Sequence, residues 1–295
     1  MRACPIVLYL FLTVASAAAQ KLKVHISVDM EGVAGVVTND QLGPGSFEYE
    51  RFRRFMTQEA VAAVEGAFAA GATEVLVADS HGNGENLLIE MLPATVRLVR
   101  AWPRKLGMMG GIDASFDAAV FIGYHSSTSN KEGVRAHTFS SARLTRVALN
   151  GKEMSEGSWN AAVAGYFGVP VVFVSGDDAA VAEVRSLVGP LEAVETKKAL
   201  GFHSAITLTP EASAARIRDG VKAALSRRSA FKPYVLPGPL ALEISFKNYL
   251  PAQVLTFLRG VERPDSHSIR YRVTDILEAS DFLQFLTHYS LSLEP

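Results

Sequence analysis

The chain has 295 residues, a formal net charge of −1, and 48% hydrophobic against 20% charged residues. That is enough apolar material for one large core or two ordinary ones, and so balanced a charge gives no footing for nucleic acid or an anionic membrane surface. The single cysteine, Cys4, precedes an apolar run near the start, so cysteine nucleophiles, disulfides and thiolate zinc sites are excluded downstream of it.

Met1-Arg2, the apolar run Ile6 to Ala15 broken only by Thr13, and Ala17-Ala18-Ala19 before Gln20 have the layout of a secretory signal peptide, residues 1–19. The run is short for a membrane span; an uncleaved anchor is the alternative. Cleavage after Ala19 would leave a net charge of −2. The mature protein is then expected to be secreted or periplasmic, with no stable membrane association.

Leu22–Val28 is an apolar strand that enters a glycine-bearing loop, 32–46. Phe47–Ala70 has helical periodicity, with Phe52, Phe55, Met56, Ala60, Val64 and Phe68 on one face, and Gly71 suits a C-terminal cap. Glu74–Ala78 is a strand, Asn86–Leu92 a short helix ended by Pro93, and Thr95–Ala101 and Ala118–Tyr124 are further strands. Arg143–Asn150 is a strand that turns at Asn150-Gly151; Ser155–Phe167 is a helix, Val169–Val174 a strand and Ala179–Val188 a helix. Alternating strands and helices predict an α/β fold, a largely parallel sheet flanked by helices, over residues 20–190. Further on come an amphipathic helix Pro210–Arg227, a proline-rich joint 233–239, a strand Leu240–Phe246, a helix Ala252–Leu258, a strand Ser268–Val273 and a helix Ile276–Leu291. These predict a smaller C-terminal α+β portion, 191–295, that is either separate or completes the same catalytic unit.

Asp29-Met30-Glu31-Gly32 ends the first strand. Two carboxylates two residues apart on an extended segment share a face, and they repel unless a cation sits between them. Asp79-Ser80-His81, Gly123-Tyr124-His125 and Glu156 also follow apolar runs and arrive at ligand-type residues. In open α/β sheets, ligands bind beyond the carboxyl ends of the strands, so these segments can converge. Two-metal hydrolytic sites hold their ions about 3.5–4 Å apart, and imidazoles with carboxylates and no sulfur suit zinc. Asp29 is the bridging candidate, because a short side chain at a strand end presents both oxygens. Glu31, His81, His125 and Glu156 would complete the two shells. Singly, each has a plainer role: Glu156 near a helix start favours the macrodipole without any metal, and His81 is a loop histidine. His137, twelve residues after His125, is assigned a non-ligand role in proton transfer or oxyanion stabilisation, with a structural histidine as the alternative. His25 is expected to face a core or interface, and His203, His267 and His288 lack site-like surroundings. Gly176-Asp177-Asp178 is expected to cap the following helix. Gly82-Asn83-Gly84 is no phosphate loop, since no lysine-serine or lysine-threonine follows.

Taken together, Ser27-Val28-Asp29-Met30-Glu31-Gly32, Glu74 to His81, Gly123-Tyr124-His125, His137-Thr138, Asn160 to Tyr166, Val171 to Asp178 and Glu243 to Tyr249 resemble the D-aminopeptidases of the DppA type, peptidase family M55. The resemblance covers nearly all of residues 22–290. It implies a metallo-aminopeptidase with two zinc ions bridged by Asp29, with Glu31 and His125 at one ion and His81 and Glu156 at the other. It also implies His137 as the catalytic histidine, sometimes called the nucleophile, and read physically as an acid/base or oxyanion group. Short peptides with N-terminal D-residues such as D-alanine would be the substrates. A self-compartmentalising homo-oligomeric ring, a homodecamer, would be the assembly. Two features depart from the pattern. The stretch between His125 and His137 is one residue longer, which would displace His137, and the signal peptide sets the chain apart from cytoplasmic members. Rival readings are a dimetal amidase or phosphoesterase on the same scaffold, and a secreted solute-binding protein without chemistry.

Overall fold

The computed structural model describes residues 21–289; the expected signal peptide lies outside them. In chain order the elements are β1 (Leu22–Val28), α1 (Tyr49–Ala69), β2 (Ala72–Asp79), β3 (Arg97–Val99), β4 (Ala118–Tyr124), β5 (Leu144–Leu149), β6 (Lys152–Glu153), α2 (Glu156–Tyr166), β7 (Val171–Asp177), α3 (Asp178–Val188), β8 (Glu192–Gly201), β9 (Ser204–Thr207), α4 (Pro210–Ser226), β10 (Leu240–Phe246), α5 (Tyr249–Leu255), β11 (Val261–Glu262), β12 (Ser268–Val273) and α6 (Ile276–His288). Asn86–Leu92 does not form the expected α-helix: only Ile89–Met91 closes, as a 3-10 turn.

Seven strands form one sheet in the order β3-β2-β1-β4-β7-β8-β9. All pair in parallel except β9, which returns antiparallel along β8. The central strands are buried on both faces, so their sequences are nearly continuous apolar runs. Val24, Ile26 and Val28 of β1 join a core beneath α1 and α4, built on Met56, Ala60, Val64, Ile217 and Val221. The opposite face packs Phe121, Tyr124 and Val174 against Trp159, Val163 and Val184 of α2 and α3. That second core continues into a five-stranded antiparallel sheet, β11-β12-β10-β5-β6, through Leu242, Ile244 and Ile269.

Sheet membership does not divide at residue 190. β8 and β9 extend the large sheet, whereas the hairpin β5–β6 belongs to the small one. Asn150 and Gly151 both have positive φ, 51° and 78°, as the tight turn of that hairpin demands.

From β1 the chain steps outward to β2 and β3, then returns to the other side of β1 as β4 and continues to β7 and β8. The strand order therefore reverses between β1 and β4. A crevice opens at the carboxyl ends there, and Asp29 and His125 are the first residues past those two strands.

Candidate metal centre

β1 and β4 meet closely at their ends, and two glycines permit it. A Cβ on Gly32 would lie 2.1 Å from the Tyr124 carbonyl oxygen. One on Gly123, which has φ +71°, would lie 2.2 Å from the Asp29 carbonyl oxygen. The Asp29 amide donates to Ile122 O at 2.8 Å, and the Gly32 amide to Gly123 O at 2.7 Å. Strand β1 ends at Val28, so Glu31 stands on a turn rather than on the extended segment expected for it. Its carboxylate still faces the same side as that of Asp29, because both approach His81.

Five buried side chains converge: Asp29, Glu31, His81, His125 and Glu156. His81 Nδ1 lies 2.9 Å from Glu31 Oε2 and 3.3 Å from Asp29 Oδ1. His125 Nε2 lies 3.3 Å from both Asp29 Oδ2 and Glu156 Oε2. The two oxygens of Asp29 thus face different imidazoles. Glu31 is the carboxylate nearest His81 and Glu156 lies against His125, while the ligand atoms of Asp29, Glu31 and His125, the trio expected at one ion, also gather within 4.8 Å. The strand order brings these groups in from two sides: His81 follows β2 on one side of β1, and His125 follows β4 on the other.

Each imidazole is fixed by a backbone carbonyl at its other nitrogen. His81 Nε2 donates to Leu42 O at 2.7 Å, and His125 Nδ1 to Ser126 O at 3.0 Å. The nitrogens turned to the carboxylates carry lone pairs when the rings are neutral, and lone pairs aimed at carboxylate oxygens need a cation between them. Asp29 Oδ2 and His125 Nε2 are buried without a hydrogen-bond partner. The ligand atoms of Asp29, Glu31 and His125, and those of His125, His137 and Glu156, each gather within 4.8 Å. This all-oxygen and nitrogen donor set fits zinc.

The electrostatics are those of a cation trap. Burial works against ionising Glu31, yet His81 holds its carboxyl well below the usual range. For Asp29, burial and the charge on Glu31 push the carboxyl up. Burial opposes charge on His125 too, but Glu156 and Asp29 raise it well above an ordinary histidine. A field that retains a proton on these rings retains a divalent ion in its place.

His137 is carried by the loop 126–138 and lies beside this group. Its Nδ1 donates to Arg135 O at 2.8 Å, leaving Nε2 3.9 Å from Glu31 Oε1 and from Glu156 Oε1. The ring stacks on His125 at 4.0 Å, nearly parallel at 8°. Burial, and then the neighbouring His125, lower its pKa, which favours the neutral base. The ring of His137 is thus turned to the centre.

Glu156 opens α2 beneath an N-cap from Ser155, and its Oε1 accepts the Phe139 amide at 2.6 Å. Asp177 caps α3 through the Ala180 amide and also accepts the Val134 amide at 2.6 Å. His25 is fully buried, away from the centre, with Nε2 donating to Gly110 O at 3.1 Å.

Three supporting residues carry no sequence signal of their role. Asp79 accepts the amides of Asn86 and Leu87 at 2.6 and 2.7 Å and so shapes the loop that presents His81. Glu183 accepts Ser127 N, Ser127 Oγ and Asn130 Nδ2, pinning the loop between His125 and His137. Lys197 is buried, with Nζ donating to the carbonyls of Glu31, Val33 and Val36 at 2.5, 2.8 and 2.6 Å. Burial lowers its pKa to about 8. Nothing in the sequence separates Lys197 from its exposed neighbour Lys198.

A cleft of about 910 Å³ opens over the group, walled by Leu42, His81, Trp102, Arg135, Phe139 and Arg143 among others.

Comparison with known proteins places the whole chain. A curated D-aminopeptidase of Bacillus subtilis (strain 168) is 31% identical over 271 residues, which covers 92% of this chain and 98% of the relative. A solved structure, the Zn-dependent D-aminopeptidase DppA from Bacillus subtilis, described as a self-compartmentalizing protease, superposes with a TM-score of 0.87 at 31% identity. That match covers 93% of this chain and 100% of the solved one. The model of the peptidase M55 family, described as D-aminopeptidase, matches residues 22–285, from the start of β1 into α6. A match of that extent carries its own conclusion: the chain belongs to peptidase family M55, the D-aminopeptidases.

Proposed function

We propose that this protein is a two-zinc exopeptidase that removes an N-terminal D-residue, such as D-alanine, from short peptides. The observation that carries the two-metal reading is the posture of Asp29: its two oxygens face two separate imidazoles, each tethered by a backbone carbonyl at its far nitrogen. Asp29 would bridge the pair, with Glu31 and His125 holding one ion and His81 and Glu156 the other. Bound zinc supplies Lewis acidity toward a scissile carbonyl and lowers the pKa of a nearby water.

The protein's own groups do the rest. His137 Nε2 faces the space between Glu31 and Glu156 and serves as the proton carrier, while its Nδ1 hydrogen bond to Arg135 O fixes the tautomer. Lys197 clamps the turn that bears Glu31. The half-buried wall of Leu42, Trp102 and Phe139 limits water around the reacting bond. The preference for D-residues is supported by the family membership and by the D-aminopeptidase relatives.

Two further parts of the proposal concern setting. Residues 1–19 direct the chain out of the cytoplasm and are removed, supported by their charge and apolar layout. The chains assemble into a closed ring, supported by the self-compartmentalizing relative and by an exposed apolar face on α5 and α6.

The test combines elemental analysis of the mature protein with a panel of D-Ala-D-Ala, L-Ala-L-Ala and a chromogenic phosphate ester. Two zinc ions per chain and turnover of the D-dipeptide alone are expected. A single ion per chain, or preference for the L-dipeptide or the ester, overturns the proposal.

A further inference from the structure

The scheme above uses the backbone carbonyl of Arg135 but not its side chain. Arg135 has positive φ, 56°, and is held by its backbone: its amide donates to Phe202 O at 3.0 Å, and its carbonyl receives the His137 Nδ1 hydrogen bond. Its side chain is 8% exposed and lines the cleft. The guanidinium lies 5.2 Å from the Phe202 ring centre. Nη1 donates to His203 Nε2 at 3.1 Å, Nε is buried with no partner, and among the described residues no carboxylate pairs with the group.

A guanidinium that is nine-tenths buried and lacks an anion is incomplete, because desolvation of the charge is repaid only by a paired, hydrogen-bonded counter-charge. The centre beside it offers only the more distant charge of Glu31, which the proposed scheme assigns to metal. Arginine presents donors in a planar fork that suits carboxylates. In a short peptide with a free amino end at the metals, the one anion every substrate carries is its C-terminal carboxylate. In a dipeptide that carboxylate belongs to the residue whose nitrogen leaves. Each further residue carries it about 3.3–3.6 Å away. Arg135 lies only two residues from His137, which faces the reacting bond.

We propose that Arg135 is a specificity residue that binds the free C-terminal carboxylate of the substrate and so selects dipeptides, with Phe202 and His203 of the β8–β9 turn holding the guanidinium in place. This rests on the D-aminopeptidase reading and names its substrate class more narrowly.

The test is a ratio measured within each protein. Zinc-loaded wild type, Arg135→Met and Arg135→Lys are assayed on D-Ala-D-Ala and on its C-terminal amide, which lacks the charge. The acid-to-amide ratio of kcat/KM is expected to fall at least tenfold in Arg135→Met, mainly through KM of the acid, and to recover in part in Arg135→Lys. A merely structural role of Arg135, through its neighbour His137, would depress both substrates alike; an unaltered ratio overturns the proposal. Calorimetric titration of both dipeptides into the same proteins on a His137→Ala background gives the ratio again without turnover. If wild type hydrolyses neither compound, the peptidase reading fails. The titration then still decides Arg135: a tenfold acid preference lost in Arg135→Met sustains it, and equal binding sinks it.

Discussion

A carboxylate and an imidazole that face one another at 3.3 Å are joined either by a proton or by a cation, and the two cases separate on substitution. Asp29 touches both His81 and His125 through different oxygens, so Asp29→Ala should lose both zinc ions together with all activity. His137 Nε2 stands farther off, 3.9 Å from Glu31 Oε1 and from Glu156 Oε1. His137→Ala should therefore keep two zinc ions and lose at least a hundredfold in kcat, the lower range for a removed general acid or base. Metal content by elemental analysis decides the matter, and loss of one ion in His137→Ala would make that residue a ligand. A second titrating residue lies outside the centre. Burial lowers His25 from the ordinary 6.5 to about 4. Between these values the unfolded chain binds a proton that the folded chain refuses, so stability is lost as pH falls through this window, by about 3 kcal/mol in full. His25→Gln keeps a donor for Gly110 O but does not titrate. Its urea-denaturation profile between pH 7 and pH 4 should be flatter by about that amount, and an unaltered acid limb would mean that His25 takes up its proton without unfolding.

The elements divide the centre into rigid and loop-borne parts. Asp29 and His125 sit directly past β1 and β4, and Glu156 is the first residue of α2, whereas His137 hangs on the loop 126–138. That loop is tied down by Glu183 and Asp177 of the α3 region. Glu183→Ala removes three hydrogen bonds at one stroke, so it should lower kcat about tenfold while zinc content and KM stay near wild type, because a slight misplacement of a catalytic group is costly even when binding is intact. Equal loss of zinc would place the effect on His125 instead. The same division governs what the sequence makes visible. β1, β4, β10 and β12 were legible from their apolar runs, and the five ligand types were legible as residues that end such runs. β8 and β9 were not, because these two strands at one end of the sheet carry polar and charged residues such as Glu195, Lys198 and Ser204 that resemble a loop. Which strands bring the ligand-type residues together was not legible either, since it depends on which strand neighbours β1 on which side. Lys197 escaped for a related reason: its three carbonyl partners lie more than 160 residues away in the chain.

At the scale of the whole molecule, half of the large exposed apolar side chains among the described residues fall together. Tyr249, Leu250, Val254, Phe257, Leu258, Phe285 and Tyr289 cluster on α5, the turn after it and α6, with Phe257 84% exposed. They border an apolar groove of about 560 Å³. Contiguous patches of this kind mark association surfaces, and a specific interface needs roughly 800 Å² from each partner, which large aromatic residues supply. Ala142 and Arg143 line both this groove and the cleft over the metal centre. A neighbour docked on α5 and α6 would therefore also wall one side of the cleft mouth, so that assembly and restricted access are one event. Phe257→Glu puts a charge where the proposed contact must be dry. Sedimentation should show it as a smaller species than wild type, with its zinc retained, because Phe257 lies outside the centre. Its cleft mouth would then be open, and the ratio of rates on a D-alanine-initiated hexapeptide and on D-Ala-D-Ala should rise. A variant that sediments like wild type would move the assembly contact to another face, and a smaller species with an unaltered ratio would detach access from assembly.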